Sequence, residues 1–70
     1  MLKVKDTIIL EDNNEYVVVF KTTINDLIYY YLIDLNNDLN IKFCYEKDDC
    51  LIETKDPEII TKIITAIVQK

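Results

Sequence analysis

The sequence predicts an α+β fold: an antiparallel β-meander of four to five strands with one C-terminal helix packed on one face. Three observations lead to this class. Leu27 to Leu35 is the longest apolar run and is rich in tyrosine and β-branched residues, which favour strands. Similar short segments are separated by turns of a few residues, as in antiparallel sheets. The last segment instead has apolar residues at helical spacing.

The first two strands are predicted at Thr7 to Leu10 and at Glu15 to Thr22, joined by a turn at Glu11 to Asn14. Asparagine tolerates the left-handed backbone of a hairpin turn, so Asn13 and Asn14 can replace the glycine that the chain lacks. Successive residues of a strand point to opposite faces. The second strand therefore presents one set of side chains, Tyr16, Val18 and Phe20, opposite another, Val17 and Val19.

Leu27 to Leu35 is predicted to be the central strand, after a reversal at Thr23 to Asp26. Both of its faces are apolar, and a strand of this kind needs cover on both sides. One face carries Leu27, Tyr29, Tyr31, Ile33 and Leu35, and the other carries Ile28, Tyr30 and Leu32.

A turn at Asn36 to Leu39 is predicted to lead into a fourth strand at Ile41 to Tyr45, which alternates cleanly between apolar and other residues. Its inward side chains are expected to be Ile41, Phe43 and Tyr45, and its outward side chains Lys42 and Cys44. Lys47 to Asp49 then predicts a turn into a fifth strand at Cys50 to Glu53.

The helix is predicted from Pro57 to Gln69. Asp56 is a favourable N-cap, proline suits the first helical position, and Glu58 complements the positive end of the helix dipole. The apolar residues that recur at helical spacing are Ile59, Ile60, Ile63, Ile64, Ile67 and Val68. This stripe is predicted to cover one face of the sheet.

Composition restricts the functional classes. Seventy residues make a single domain, 1–70, with a formal charge of −5 and neither arginine nor histidine. Nucleic-acid binding depends on basic groups and acid–base catalysis most often on histidine, so we expect neither direct nucleic-acid contact nor enzymatic activity. An acidic surface suits a protein partner with a basic surface better.

The sequence also predicts a cytoplasmic protein without a membrane segment. The longest apolar run has seven residues, Leu27 to Ile33, whereas a spanning helix needs about 20. No signal-peptide pattern follows the charged start of the chain. Two cysteines are too few for a disulfide scaffold, and we expect both thiols to be reduced.

Two patterns resemble metal sites without completing them. Asp34 to Asn40 places oxygen-bearing side chains at alternate positions, as a calcium loop does, but Leu39 and Tyr45 stand where that loop needs glycine and an acid. Cys44 and Cys50 lack the further ligands of a structural zinc site. We therefore predict no cofactor and no metal. A disulfide between the two cysteines is possible if the hairpin loop between their strands has three residues.

The candidate interface is the sheet face opposite the helix. A helix of about 20 Å covers only one side of such a sheet, and self-association is a common way to bury the other. The sequence predicts a homodimer through Tyr16, Val18, Phe20, Ile28, Tyr30 and Leu32. If the helix covers the face that carries Tyr16, Val18 and Phe20, the second strand contributes Val17 and Val19 to the interface instead. The alternative is that sheet twist and the segment Met1 to Lys5 hide this face in a monomer.

Several features of the chain occur together in one known family. They are Ile9 to Val18 around the first turn, Tyr29 to Ile33, Ile41 to Phe43, Leu51, Glu53, and Asp56 to Glu58 opening a helix. This pattern resembles the YrzB-like family of small acidic proteins. The resemblance implies a short cytoplasmic protein of low-GC Gram-positive bacteria, of unknown function and without a catalytic residue.

Taken together, these features predict a non-enzymatic protein–protein interaction module that self-associates. The alternative function is that of a small acidic inhibitor from a phage or mobile element, which occupies a nucleic-acid-binding site on a host protein.

Overall fold

The computed structural model describes residues 2–69 as five strands and one helix. The strands form one antiparallel meander in the order β1-β2-β3-β4-β5, with β3 at its centre. The predicted α+β meander with a C-terminal helix is therefore confirmed. The elements are β1 (Thr7–Ile9), β2 (Glu15–Ile24), β3 (Leu27–Asp34), β4 (Asn37–Lys47), β5 (Cys50–Glu53) and α1 (Pro57–Val68).

The tight turns are made without glycine. Between β2 and β3, Asn25 and Asp26 have φ of 52° and 67°, and between β4 and β5, Asp48 and Asp49 have φ of 52° and 64°. Two consecutive left-handed residues match the twist of the flanking strands, and Asn and Asp tolerate this conformation best after glycine. Because the first of these turns needs only two residues, β2 runs two residues beyond its predicted end.

The turn between β3 and β4 differs from the prediction. The predicted turn at Asn36 to Leu39 is wrong, because β4 already begins at Asn37. The Asp34 carboxylate accepts the backbone N–H of Asn36 at 2.8 Å, a local bond that lets the chain reverse early. The strand register then shifts sharply, since Asp34 pairs with Asn37 but Ile33 pairs with Ile41.

A β-bulge in β2 changes which side chains share a face. Val18 pairs with Leu32 and Phe20 pairs with Tyr31, so Val19 has no partner across the strands. The inserted residue turns Phe20 to the helix side of the sheet. The prediction that Phe20 shares a face with Tyr16 and Val18 is therefore wrong.

The helix packs on one face of the sheet, as predicted. Asp56 Oδ1 accepts the N–H of Glu58 at 3.0 Å, which confirms the N-cap. Fully buried Ile63 packs with Phe20, Tyr29 and Phe43. The predicted apolar stripe is too wide at one flank, since Ile64 is 47% exposed and Val68 is 77% exposed.

The opposite face is buried within the same chain. Its cluster consists of Tyr16, Val18, Tyr30, Leu32 and Cys44. Leu2, Ile8 and Leu10 pack on this cluster from one edge of the sheet and Leu51 packs from the other edge, so the sheet curls around it. The expectation that this face is bare is wrong, and so is the outward placement of Cys44, which is 2% exposed. Met1 lies outside the described residues.

Candidate functional site

The predicted interface side chains are largely inaccessible. Tyr16, Val18, Tyr30 and Leu32 have no exposed surface. Phe20 is 8% exposed on the helix side, and half-buried Ile28 packs against the curled face. In this conformation a second copy of the chain has no access to these residues, because the N-terminal segment and both edge strands already occupy the face.

A polar network joins two turns at one end of the sheet. The Tyr16 hydroxyl donates to Asp12 Oδ2 at 2.7 Å, and Asn40 Nδ2 donates to the Tyr16 oxygen at 3.0 Å. The same Asn40 nitrogen donates to Asp34 Oδ2 at 3.1 Å. Asp34 is 5% exposed, so these bonds satisfy a buried carboxylate. The network holds the β1–β2 turn and the β3–β4 turn together, and we call this end of the sheet the turn end.

The hydrogen bond between Tyr16 and Asp12 shifts the pKa values of the two groups in opposite directions. The Tyr16 hydroxyl, helped by the backbone N–H of Asn14, lowers the pKa of Asp12. Burial, followed by the Asp12 carboxylate, raises the pKa of Tyr16. At neutral pH Asp12 is therefore a carboxylate and Tyr16 a phenol. The hydrogen bond between them is structural, and the two groups are not a proton-transfer pair.

A second tyrosine anchors the N-terminal segment over the curled face. The Tyr30 hydroxyl donates to Glu46 Oε1 at 2.6 Å, and the Leu2 backbone also hydrogen-bonds to this hydroxyl. Burial, with Glu46, raises the pKa of Tyr30 to about 12. Backbone hydrogen bonds to Val18 also hold this segment. The C=O of Val18 accepts from the N–H of Lys5 at 2.8 Å, and its N–H donates to the C=O of Asp6 at 2.9 Å.

An apolar surface remains open on the helix side of the turn end. Val17, Ile33 and Ile41 are successive partners across β2, β3 and β4, and their side chains therefore lie next to one another. They share the helix side with Tyr31 but none of them belongs to the cluster beneath the helix. We call this surface the turn-end patch and define it by Ile9, Val17, Ile33, Leu35, Leu39 and Ile41.

The exposed fractions in the patch are large for aliphatic side chains. Leu39 is 89% exposed, Ile9 67%, Leu35 50% and Ile41 41%. This surface was not predicted from the sequence, because Leu35 was expected in the central strand and Leu39 in a polar turn. The available signal was the pair of leucines on either side of the polar residues 36–38, since turns favour polar residues.

A groove separates the two edge strands on the curled side of the sheet. β1 and β5 are not paired, but residues from both edges of the sheet line the same cavities. Two adjoining cavities, of about 370 Å³ and about 180 Å³, lie between them and share Leu51 as a lining residue. We call them together the β1–β5 groove. Its apolar floor is formed by Leu2, Ile8, Leu10, Cys44 and Leu51.

The rim of the groove is acidic. Lys42 is the one basic residue among those that line the groove. Five carboxylates line it as well, those of Glu11, Asp12, Glu46, Asp49 and Glu53. Lys42 Nζ lies 3.4 Å from Glu53 Oε1 and 5.9 Å from the centre of the Tyr16 ring. Burial opposes its charge, but Glu53 and the nearby Tyr16 and Asp12 outweigh this effect and raise the pKa of Lys42.

The two cysteines have different environments in the structure. Burial, followed by Glu53, raises the pKa of the Cys44 thiol to about 11, so it is a poor nucleophile at neutral pH. Cys44 and Cys50 are both free, the first buried and the second exposed. The described part of the chain contains no group of three or more potential metal ligands.

None of the helices in residues 2–69 combines the length and the hydropathy that crossing a membrane requires.

Comparison with known proteins yields no relative. No protein-family model, curated protein or solved structure matches the chain. The resemblance to the YrzB-like family therefore stays a prediction, and the functional argument depends on the surfaces described above.

Proposed function

We propose that this protein is a non-enzymatic protein–protein interaction module that self-associates through the turn-end patch. The observation that carries the proposal is the row of half-buried Val17 and Ile33 with Ile41, which is 41% exposed, flanked by the more exposed Ile9, Leu35 and Leu39. The largest contiguous apolar patch on a protein surface is often functional, and patches larger than a few hundred Å² are rare on monomers and typical of interaction sites.

A second copy suits this surface by shape. The row extends across three strands of one sheet, and two such faces stack at about 10 Å with interdigitating side chains. A two-fold arrangement places the same patch on both sides of the contact, which is the commonest symmetry of small assemblies. The polar network beneath the patch stabilises the β3–β4 turn, next to which Leu35 and Leu39 lie, so little conformational freedom is lost on association.

The charge pattern makes the expected contact weak. Glu15 lies within the patch, beside Leu35, whose N–H donates to the Glu15 C=O at 2.9 Å. Two chains of charge −5 also repel each other. We therefore expect a dimer that forms at micromolar or higher concentration and not an obligate one.

Sedimentation equilibrium between about 10 µM and 500 µM tests the proposal. The expected mass rises from 8.3 kDa towards twice that value as concentration increases. Leu39→Asp should abolish this rise without unfolding the chain, because its side chain is 89% exposed. A mass that stays at 8.3 kDa over the whole range would refute self-association.

The matched control is Val4→Asp, which introduces the same charge at an apolar side chain that is 46% exposed and lies outside the patch. We expect this variant to associate like the unmodified protein. Equal loss of association in both variants would mean that the added negative charge acts through general repulsion, and the patch would lose its support.

A further inference from the structure

We propose that the β1–β5 groove binds an extended, lysine- or arginine-bearing segment of another protein, which adds as a strand between β1 and β5. The groove lies on the curled side of the sheet, whereas the turn-end patch lies on the helix side. Ile9 alone contributes to both, its side chain to the patch and its backbone to the outer edge of β1, and this inference does not depend on self-association.

The backbone of β1 is prepared for an added strand. Asp6 accepts the N–H of Val18 and Leu10 donates to the C=O of Asn14, so these residues direct their backbone groups towards β2. Backbone groups in an antiparallel strand alternate between its two sides. Thr7 and Ile9 therefore direct their N–H and C=O groups away from β2, along the outer edge of the sheet.

The backbone of β5 has the same property on the facing edge. Thr54 donates its N–H to the C=O of Phe43 in β4 at 2.8 Å. By the same alternation, Leu51 and Glu53 direct their backbone groups away from β4. Peptides that add to exposed sheet edges obtain their affinity from such main-chain groups and their specificity from the side-chain pockets beside them.

The walls of the groove define the chemistry of the segment. Its floor of Ile8, Leu10 and Leu51 suits the apolar side chains that alternate along one face of an added strand. The five carboxylates of the rim, three in the larger cavity and two in the smaller, suit basic side chains of the same segment. Lys42 does not reverse this preference, because Glu53 at 3.4 Å balances its charge. A nucleic acid would meet the same carboxylates and be repelled.

The experiment uses the full chain and an acetylated heptapeptide of alternating lysine and valine, titrated by calorimetry up to about 1 mM. Two control peptides accompany it. One replaces lysine with glutamate, and the other keeps the lysines but carries N-methylated valines, which cannot donate ladder hydrogen bonds. We expect binding of the first peptide and at least about tenfold weaker binding of both controls.

Matched variants locate the site. Glu11→Gln with Glu53→Gln removes two rim charges, and Asp26→Asn with Asp38→Asn removes two charges elsewhere. Because exposed ion pairs contribute modestly, we expect the rim variant to bind the lysine peptide about threefold to tenfold more weakly than the unmodified protein. The variant with charges removed elsewhere should bind it less than about twofold more weakly. Hydrogen exchange should slow at the N–H groups of Thr7, Ile9, Leu51 and Glu53 when the peptide is bound.

Three outcomes would overturn the inference. They are no binding up to about 1 mM, equal binding of the N-methylated peptide, and equal weakening in the two charge variants. The last two would indicate general attraction between a cationic peptide and an acidic chain. None of these outcomes bears on the turn-end patch, which the sedimentation experiment tests separately.

Discussion

The buried side chains of Tyr16 and Tyr30 each donate a hydroxyl hydrogen bond to a carboxylate. Tyr16 connects Asp12 to Asn40 and thereby to the buried carboxylate of Asp34. Each ring fills the core while its oxygen reaches a polar partner, which is the usual role of a buried tyrosine. The sequence predicted that such tyrosines contribute to an interface and bond to polar groups at its rim, whereas their partners in the structure lie within the same chain.

Tyr16→Phe tests the network. We expect a loss of about 1 to 2 kcal/mol in the free energy of unfolding, because the Asp12 carboxylate loses a charge-assisted bond and Asn40 loses an acceptor. Tyr45→Phe is the control, since the Tyr45 ring packs beside Tyr29 and its hydroxyl has no hydrogen-bond partner within residues 2–69, and it should cost less than about 0.5 kcal/mol. Urea denaturation measures both. Equal losses would show that the hydroxyl bonds of Tyr16 add nothing.

The two cysteines should differ in reactivity. Cys50 is exposed, whereas Cys44 is buried with its pKa raised to about 11. Because the thiolate is the reactive form, we expect Cys50 alone to react with a disulfide reagent at pH about 8, and Cys44 to react only after denaturation. Thiol counting with and without denaturant measures this. Rapid reaction of two thiols in the native protein would mean that the curled face opens easily.

Packing, and not intrinsic propensity, stabilises the helix α1. Its twelve residues include five isoleucines and one valine, and β-branched residues lose side-chain freedom in a helix. The Asp56 cap and Pro57 determine where the helix begins, and contact of Ile63 with Phe20, Tyr29 and Phe43 stabilises it on the sheet.

Ile63→Asp should unfold the domain. The change places an unpaired carboxylate where the side chain has no exposed surface, at a cost of several kcal/mol. A chain of this length is expected to have only about 4 to 10 kcal/mol of stability. Lys62→Ala, on the exposed side of the same turn, should change stability by less than about 0.5 kcal/mol. A cooperative thermal transition by circular dichroism in Ile63→Asp, close to that of Lys62→Ala, would contradict this packing.

The whole molecule combines an acidic surface with two open regions of different chemistry. The turn-end patch is apolar with a single carboxylate, whereas the β1–β5 groove is apolar at its floor and acidic at its rim. Salt therefore acts on them in opposite directions. It screens the repulsion between two acidic chains, and it weakens attraction between the groove and a cationic segment.

The salt dependence of self-association follows from this difference. Raising NaCl from about 20 mM to about 500 mM should strengthen the dimer by about threefold or more, because like charges are screened while apolar burial is not weakened. Sedimentation equilibrium at the two salt concentrations measures the change. A dimer that weakens with salt would be stabilised by ion pairs, contrary to the proposed apolar contact.

The sequence by itself determined the features that depend on neighbouring residues. Asp56-Pro57-Glu58 defines the start of the helix, and the paired Asn and Asp residues at 25–26 and 48–49 determine glycine-free turns. Both follow from local backbone preferences and short-range hydrogen bonds. The existence of five strands and the central position of β3 follow equally from alternating side chains and short connections.

Only the tertiary structure decided which surfaces are closed and which are open. One inserted residue, Val19, moves Phe20 to the other face, and a period of two residues carries no trace of such an insertion. The curl of the sheet brings Leu10 and Leu51 together although they are far apart in the chain. The curl closes the face that was predicted to be open and leaves the turn-end patch exposed. Strand twist and bulges produce this result because they act over the whole sheet and not at any one position.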